Sequence, residues 1–254
     1  MSGALIAAAC GVAFLAGFVD AVAGGGGLIQ LPAVMLLLPG VPVPMVLGTN
    51  KVAGASGTGA ALFRYARDID IPWRTVLPAA GLAFVGSLGG ARLSTLLPSA
   101  VLKPLVVGLL VAVTLWTLLR RDFGVKPKVP GPRAAWVAGA VGMFLGFYDG
   151  FFGPGTGSFL LFLFVGTLGL DFLKASSSAK VVNFATNLAA LVVFIPRGQV
   201  VWSIAAPMAA CNVLGATLGA RAAIARGSPF VKRMFQAVTL LLLGKLTLDV
   251  LSSW

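Results

Sequence analysis

The sequence predicts an all-α polytopic membrane protein made of two five-segment repeats in inverted topology, with interrupted or re-entrant short helices at the midplane. Three observations lead to this prediction. The 254-residue chain is 58% hydrophobic and 10% charged, whereas about a quarter of the residues of a soluble domain are charged. A stretch rich in helix-breaking residues occurs twice within apolar sequence. Basic residues are distributed unevenly among the predicted loops.

The duplicated stretch runs over residues 17–51 and again over 146–180. A constant offset of 129 positions (146 − 17) relates the two copies and continues without a gap through Trp73 and Trp202 to Lys103 and Lys232. Chance does not readily match Asp, Lys, Trp and Arg in one ungapped register. The chain is therefore divided into a first repeat, a basic linker with three prolines, and a second repeat, at residues 1–119, 120–133 and 134–254.

Each repeat is predicted to contain five apolar segments. The first can span a bilayer, whereas the second is too short and is followed by a Pro/Gly-rich break. Non-helical backbone in a membrane is tolerated only where it is buried in protein or lines a wet cavity. The segments are expected at about residues 4–22, 28–38, 51–66, 74–97 and 101–119, and then at 134–150, 158–170, 178–195, 202–223 and 231–251.

The basic residues favour an inverted second half. Inversion places thirteen of the 19 lysines and arginines on the side of the linker and leaves Arg92, Lys103 and Arg197 on the other. A parallel second half would divide them nine to seven. Because cytoplasmic loops are enriched in basic residues, the linker is expected to be cytoplasmic and both termini to lie outside. Labels at Ser99 and Gly227 should then report opposite sides.

Composition narrows the function classes. The chain has no histidine, and its two cysteines lie in apolar sequence and are not repeat equivalents, so a metal site or disulfide is not expected. The net charge of +12 would suggest nucleic acid for a soluble protein, but the positive-inside rule explains it here. The expected partners are a small anionic substrate and the bilayer, with no nucleic acid and no cofactor; a homo-oligomer stays open.

Two glycine-rich runs, each just before a short apolar helix, are candidates for binding an anion. Glycine lets backbone N–H groups point at a ligand from a loop or a helix N-terminus. The alternative is tight helix crossing through small residues, which is common in membranes. Two symmetric runs beside Asp and Lys favour a site. Its candidates are Gly24, Gly25, Gly26 and Gly27 in the first copy and Gly153, Gly155, Thr156 and Gly157 in the second.

Charged and polar residues near these runs complete the candidate site. Lys51 and Lys180 would attract an anion, or alternatively snorkel to the membrane interface. Asp20 and Asp149 are candidate counter-ions or proton carriers, or else caps of an interrupted helix. The neutral candidates are Asn50, Ser178 and Asn183, although any one of them is more often an interhelical contact than a ligand.

These residues resemble the TauE/SafE family of membrane transporters over nearly the whole chain. The resemblance rests on Asp20, the run 23–27 followed by Pro32, the sequence GTNK at 48–51, and the second copy at 146–157. It implies a secondary transporter for small sulfur-containing anions such as sulfite, sulfoacetate or related organosulfonates. The second copy departs from the first at Pro154 and Ala179, so the two half-sites are not equivalent.

The function predicted from these features is export of such an anion by alternating access, coupled to an ion or proton gradient in a bacterial inner membrane. Inverted repeats with broken helices at the substrate site are a recurrent plan of secondary transporters. An anion channel or an uptake permease of the same fold is the alternative. An enzyme is disfavoured, because the chain has no histidine or glutamate for a nucleophile–base pair. Two carboxylates alone make a poor transition-metal site.

Overall fold

A computed structural model describes residues 2–119 and 134–251 of the chain. Over these two stretches the protein is helical, without a β-strand. The predicted basic linker at 120–133 lies outside the described residues. The helices are α1 (Gly3–Ala23), α2 (Gly26–Leu37), α3 (Val43–Asp68), α4 (Trp73–Leu96), α5 (Ser99–Leu119), α6 (Ala134–Phe151), α7 (Thr156–Leu168), α8 (Phe172–Phe194) and α9 (Trp202–Leu251).

Helices α1 and α2 form a hairpin whose turn consists of Gly24 and Gly25. Their φ angles are 75° and 86°, in a region that glycine enters without the steric cost of a Cβ atom. The first glycine of α2, Gly26, lies so close to α1 that an added Cβ would collide with the carbonyl oxygen of Ala16. The glycine run therefore makes both a chain reversal and a close helix contact.

Helices α6 and α7 form the equivalent hairpin in the second repeat. Its turn contains Gly153 and Gly155, with φ angles of 102° and 86°. The hydroxyl of Tyr148 donates a hydrogen bond of 2.6 Å to the carbonyl of Pro154 and ties the turn to α6. Proline thus occupies a position of the second turn at which the first turn has glycine, without changing the reversal.

Helices α3 and α8 begin earlier than the sequence predicts, at Val43 and Phe172 instead of near residues 51 and 178. Pro44 is tolerated in the first turn of α3, because its missing N–H would have had no helical partner there. Asp171 caps α8 by accepting hydrogen bonds from the backbone of the first turn. Lys51 and Lys180, the two lysines of the predicted site, therefore lie about two turns inside their helices.

Repeat-equivalent helices α3 and α8 run antiparallel along each other. Near the start of α3, Gly48 lies against Phe194 at the end of α8, and further along, Gly59 lies against Phe184. Beyond the end of α3, the carboxylate of Asp70 is 3.9 Å from the amine of Lys174, at the start of α8. Residue numbers thus rise along one helix as they fall along the other.

Each repeat contributes its first helix to a close crossing with the other repeat. Gly86 of α4 lies against the backbone of Met143 in α6, and Gly215 of α9 lies against the backbone of Phe14 in α1. An added Cβ at either glycine would collide with a carbonyl oxygen. The two crossings are related by the 129-residue offset, so small residues let the backbones of the two repeats interlock in the same way twice.

Four helices in the described part of the chain are long and apolar enough to cross a membrane: α1, α4, α8 and the 202–237 part of α9. The helices α2 and α7 are apolar but shorter. At Gly227 the backbone leaves the helical conformation, so α9 contains two helices where the sequence predicts two segments. Large apolar side chains face outward, with Leu36 78% and Phe144 70% exposed, as expected for a surface in contact with lipid rather than water.

Candidate functional site

The two hairpin turns meet at a small polar cavity. An added Cβ at Gly24 would collide with the backbone of Gly157, and Gly27 lies against Pro154. The cavity has a volume of about 50 Å³, enough for a few groups the size of water. Its lining residues are Ala16, Asp20, Gly25, Gly26, Gly27, Gln30, Asn50, Lys51, Gly54, Thr58, Asp149, Gly153, Gly155, Gly157, Asn183, Asn187 and Asn212.

Two buried ion pairs cross between the repeats beside this cavity. The amine of Lys51 is 2.7 Å from a carboxylate oxygen of Asp149, and the amine of Lys180 is 2.8 Å from one of Asp20. The lysine side chains are only 4% and 1% exposed, so neither amine reaches the protein surface. The two pairs are equivalent by the 129-residue offset. Each joins the third helix of one repeat, α3 or α8, to the first helix of the other repeat, α6 or α1.

The two aspartates differ in their second contacts. Asp20 Oδ1 also accepts a 3.3 Å hydrogen bond from the backbone N–H of Gly26 and so caps the start of α2. Among the described residues, Asp149 makes no equivalent bond to Gly155. The side chain of Asp20 is 22% exposed and that of Asp149 is 5% exposed. Asp20 is therefore both a cap and a counter-ion, and it is the more accessible carboxylate.

A chain of three side-chain amides links four helices beside the cavity. The side chain of Gln30 in α2 donates a 2.9 Å hydrogen bond to Asn50 Oδ1 in α3. The side-chain oxygen of Gln30 accepts a 2.7 Å bond from Asn212 Nδ2 in α9, which also donates to the carbonyl of Ala13 in α1. Gln30 thus uses both ends of its amide, donating to Asn50 and accepting from Asn212, so the three side chains hold one another in place.

Two further amides on the cavity surface come from α8. Asn183 and Asn187 both line it, and the side-chain oxygen of Asn183 has no hydrogen-bond partner within the described part of the chain. The repeat offset places Gly54 and Thr58 of α3 at the equivalent positions. The cavity is therefore symmetric in its ion pairs and asymmetric in its neutral polar groups.

Four of the sequence-predicted residues lie behind the lining. Gly24 forms the hairpin turn, and the hydroxyl of Thr156 donates to the carbonyl of Gly153. Ser178 is buried, with no hydrogen-bond partner for its hydroxyl within residues 2–119 and 134–251. Lys180 reaches Asp20 from behind. The other predicted residues all lie on the cavity surface.

Sequence reasoning missed several lining residues, of which Gln30 and Asn212 are the most polar. Each interrupts an apolar segment, and both are at least 95% buried. Burying an amide without hydrogen-bond partners costs free energy, so a Gln or Asn within an apolar segment indicates that polar partners lie beside it. Comparing the two repeats did not reveal Gln30 and Asn212, because their equivalents are the apolar Phe159 and Ala83.

Comparison with known proteins identifies the chain's relatives. Residues 9–246 match the sequence family described as Sulfite exporter TauE/SafE. The chain belongs to this family. The match to TauE/SafE includes part or all of each helix and every residue of the cavity, and it bears out the resemblance found in the sequence. This protein is thus a multi-pass membrane transporter of the TauE/SafE family.

Several TauE/SafE relatives are similar over most of their length. The chain is 38% identical to the probable membrane transporter protein ORF9 of Sinorhizobium sp, over 93% of this chain and 90% of that protein. It is 36% identical to a probable membrane transporter protein of Haemophilus influenzae, over 94% and 92%. It is 34% identical to the probable membrane transporter protein YfcA of Escherichia coli K12, over 94% and 88%. No solved structure matches the chain.

Proposed function

We propose that this protein is a secondary transporter that exports a small sulfur-containing anion, such as sulfite, sulfoacetate or a related organosulfonate. One observation carries the proposal: the N-termini of α2 and α7 both open onto one cavity lined by glycine backbone and amides. A helix N-terminus presents unpaired N–H groups and a partial positive charge, which together favour an anion. The family description supports the choice of sulfite and its relatives.

The proposed binding site uses residues from both repeats. Backbone N–H groups of Gly27 in the first turn of α2 and Gly157 in the first turn of α7 would face the oxyanion, since the N–H of Gly26 already donates to Asp20. Asn50 and Asn183 would donate side-chain hydrogen bonds, and Lys51 would contribute its field from within its ion pair. The donor groups on this surface are held by the hairpin turns and the amide chain, so little rearrangement is needed when an anion enters.

We further propose that the repeats are inverted across the membrane and that export proceeds by alternating access. The antiparallel course of α3 and α8 supports inversion, since equivalent helices of parallel repeats run in the same direction. The cavity lies where the two hairpins meet, which is the position of the substrate in transporters of inverted design. Asp20, the more accessible carboxylate, is the group best placed to couple export to a proton or another ion.

Filling the cavity tests the proposed site. A Cβ at Gly54 would come no closer than 3.8 Å to another atom, the amide of Asn187, so a larger side chain there enters the cavity before it meets backbone. Gly54→Leu should abolish saturable sulfite and sulfonate flux in reconstituted vesicles. Gly81→Leu is the matched control, because nothing lies within 4 Å of a Cβ at this position of α4, and its flux should match the wild type.

The same assay separates the competing functions. Normal flux in Gly54→Leu would remove the cavity from the transport path. Flux that rises linearly with concentration and ignores an imposed ion gradient would indicate an anion channel. Flux that runs only inward under a physiological gradient would indicate an uptake permease.

A further inference from the structure

The charges around the cavity cancel in pairs. The charged side chains at its surface are Asp20, Lys51 and Asp149, and Lys180 pairs with Asp20 from behind. Two lysines and two aspartates give no net charge. An anion that displaced an aspartate from its lysine would leave a buried, unpaired carboxylate. The negative charges of the anion and of that carboxylate would then lie side by side, which is strongly unfavourable. Both ion pairs must therefore persist when an anion is bound.

The positive potential that remains comes from two helix N-termini. Each carries the equivalent of about half an elementary charge, so α2 and α7 together supply about one. At the α1–α2 turn, the carbonyl groups at the end of α1 accept hydrogen bonds of 2.9 Å from Tyr65 and Ser176, neither of which lines the cavity. The opposing negative helix end is thereby partly satisfied away from the cavity.

In the second hairpin, the carbonyls of the turn also accept hydrogen bonds from side chains that do not line the cavity. The carbonyl of Gly153 accepts a 2.7 Å bond from the hydroxyl of Thr156, and that of Pro154 accepts one from Tyr148. Asn183 lines the cavity and is 95% buried, and its side-chain oxygen is without a partner within the described residues; a half-turn about the last bond of the side chain presents its donating nitrogen to an anion instead. The cavity surface thus combines N–H donors and amides with charged side chains that cancel in pairs, and its net positive charge is about one elementary charge.

We propose that the cavity selects singly charged oxyanions and discriminates against both dianions and neutral molecules of the same shape. One negative charge matches the two helix N-termini while both ion pairs stay intact. A second charge would be buried without a counter-charge in a site of low dielectric. This inference rests on the proposed anion-binding role of the cavity and narrows the proposed substrates to monoanions such as hydrogensulfite and simple sulfonates, leaving out sulfoacetate and the sulfite dianion, which each carry two negative charges.

A matched series of three tetrahedral sulfur compounds tests the selection by charge alone. Dimethyl sulfone, methanesulfonate and sulfate each have five heavy atoms and carry zero, one and two negative charges at neutral pH. Binding to the purified full-length protein in detergent should be at least tenfold tighter for methanesulfonate than for sulfate or for the sulfone. Equal binding of sulfate and methanesulfonate would overturn the selection by charge and leave the proposed transport of anions standing. Binding of neither anion would overturn both.

A pair of variants changes the charge balance. Asp20→Asn keeps an acceptor for the N–H of Gly26 but leaves Lys180 unpaired, so the preference for methanesulfonate over sulfate should fall at least tenfold. Asp20→Asn combined with Lys180→Gln restores neutrality, and the preference should return even if both affinities are reduced. An unchanged preference in the single variant, or a lost preference in the double variant, would count against the proposal.

Discussion

At the scale of single residues, the buried lysines are held by carboxylates from the opposite repeat. A surface salt bridge contributes little to stability, but breaking a buried pair leaves a charge without water or partner. Lys51 and Asp149 are both nearly inaccessible, so this pair belongs to the second class. The ion pairs therefore act as connections between the repeats as well as parts of the cavity wall.

The first prediction is a non-additive loss of stability at this pair. Lys51→Gln or Asp149→Asn alone should each destabilise the protein by about 3–5 kcal/mol. The double variant, in which two neutral amides replace two charges, should lose less than either single variant. Thermal unfolding in detergent micelles measures the order. A double variant as unstable as the sum of its parts would mean that the two side chains act independently.

At the scale of the structural elements, the hairpin turns depend on glycine for their backbone conformation. Gly25 ends the α1–α2 turn with φ 86° and ψ 4°, a left-handed conformation that costs other residues about 1–2 kcal/mol. Gly166, within α7, has no atom within 4 Å of an added Cβ and is an ordinary helical position. The two glycines thus differ in what fixes their identity.

The second prediction contrasts these positions. Gly25→Ala should destabilise the protein by about 1–2 kcal/mol because of its positive φ. Gly166→Ala should stabilise it by up to about 1 kcal/mol, since alanine favours the helix more than glycine. Melting temperatures of the two variants should move in opposite directions. If Gly25→Ala melts with the wild type, the turn tolerates a side chain and the glycine serves another purpose.

At the scale of the whole molecule, inversion predicts that equivalent positions face opposite sides of the membrane. Ser99 and Ser228 are equivalent by the 129-residue offset, and both are partly accessible. Each hydroxyl accepts a hydrogen bond from a backbone N–H at the start of the third helix of a repeat, α3 for Ser99 and α8 for Ser228. Ser228 is a better label position than Gly227, whose φ of 69° disfavours cysteine. With Cys10 and Cys211 replaced by alanine, Ser99→Cys should react from outside the cell and Ser228→Cys only from the cytoplasm. Labelling of both from one side would establish parallel repeats.

Much of this architecture was accessible from the sequence alone. Apolar length and helix breakers predicted the helices, and the offset of 129 predicted which residues are equivalent, because both are local or periodic properties of the chain. Where the prediction of helix ends was wrong, at the starts of α3 and α8, polar residues were mistaken for the end of a break. The Pro44 position and the Asp171 cap allow the helices to start earlier.

The sequence also identified most of the residues on the cavity surface, because polar groups are conspicuous in apolar segments. Only the tertiary structure decided which of them meet. Lys51 pairs with Asp149, 98 positions away, rather than with the aspartate of its own repeat. Gln30 and Asn212 join across 182 positions. Such pairings depend on how the two repeats pack together, with α1 against α9 and α4 against α6, which is set by the close approach of glycine-bearing helices and not by spacing along the chain.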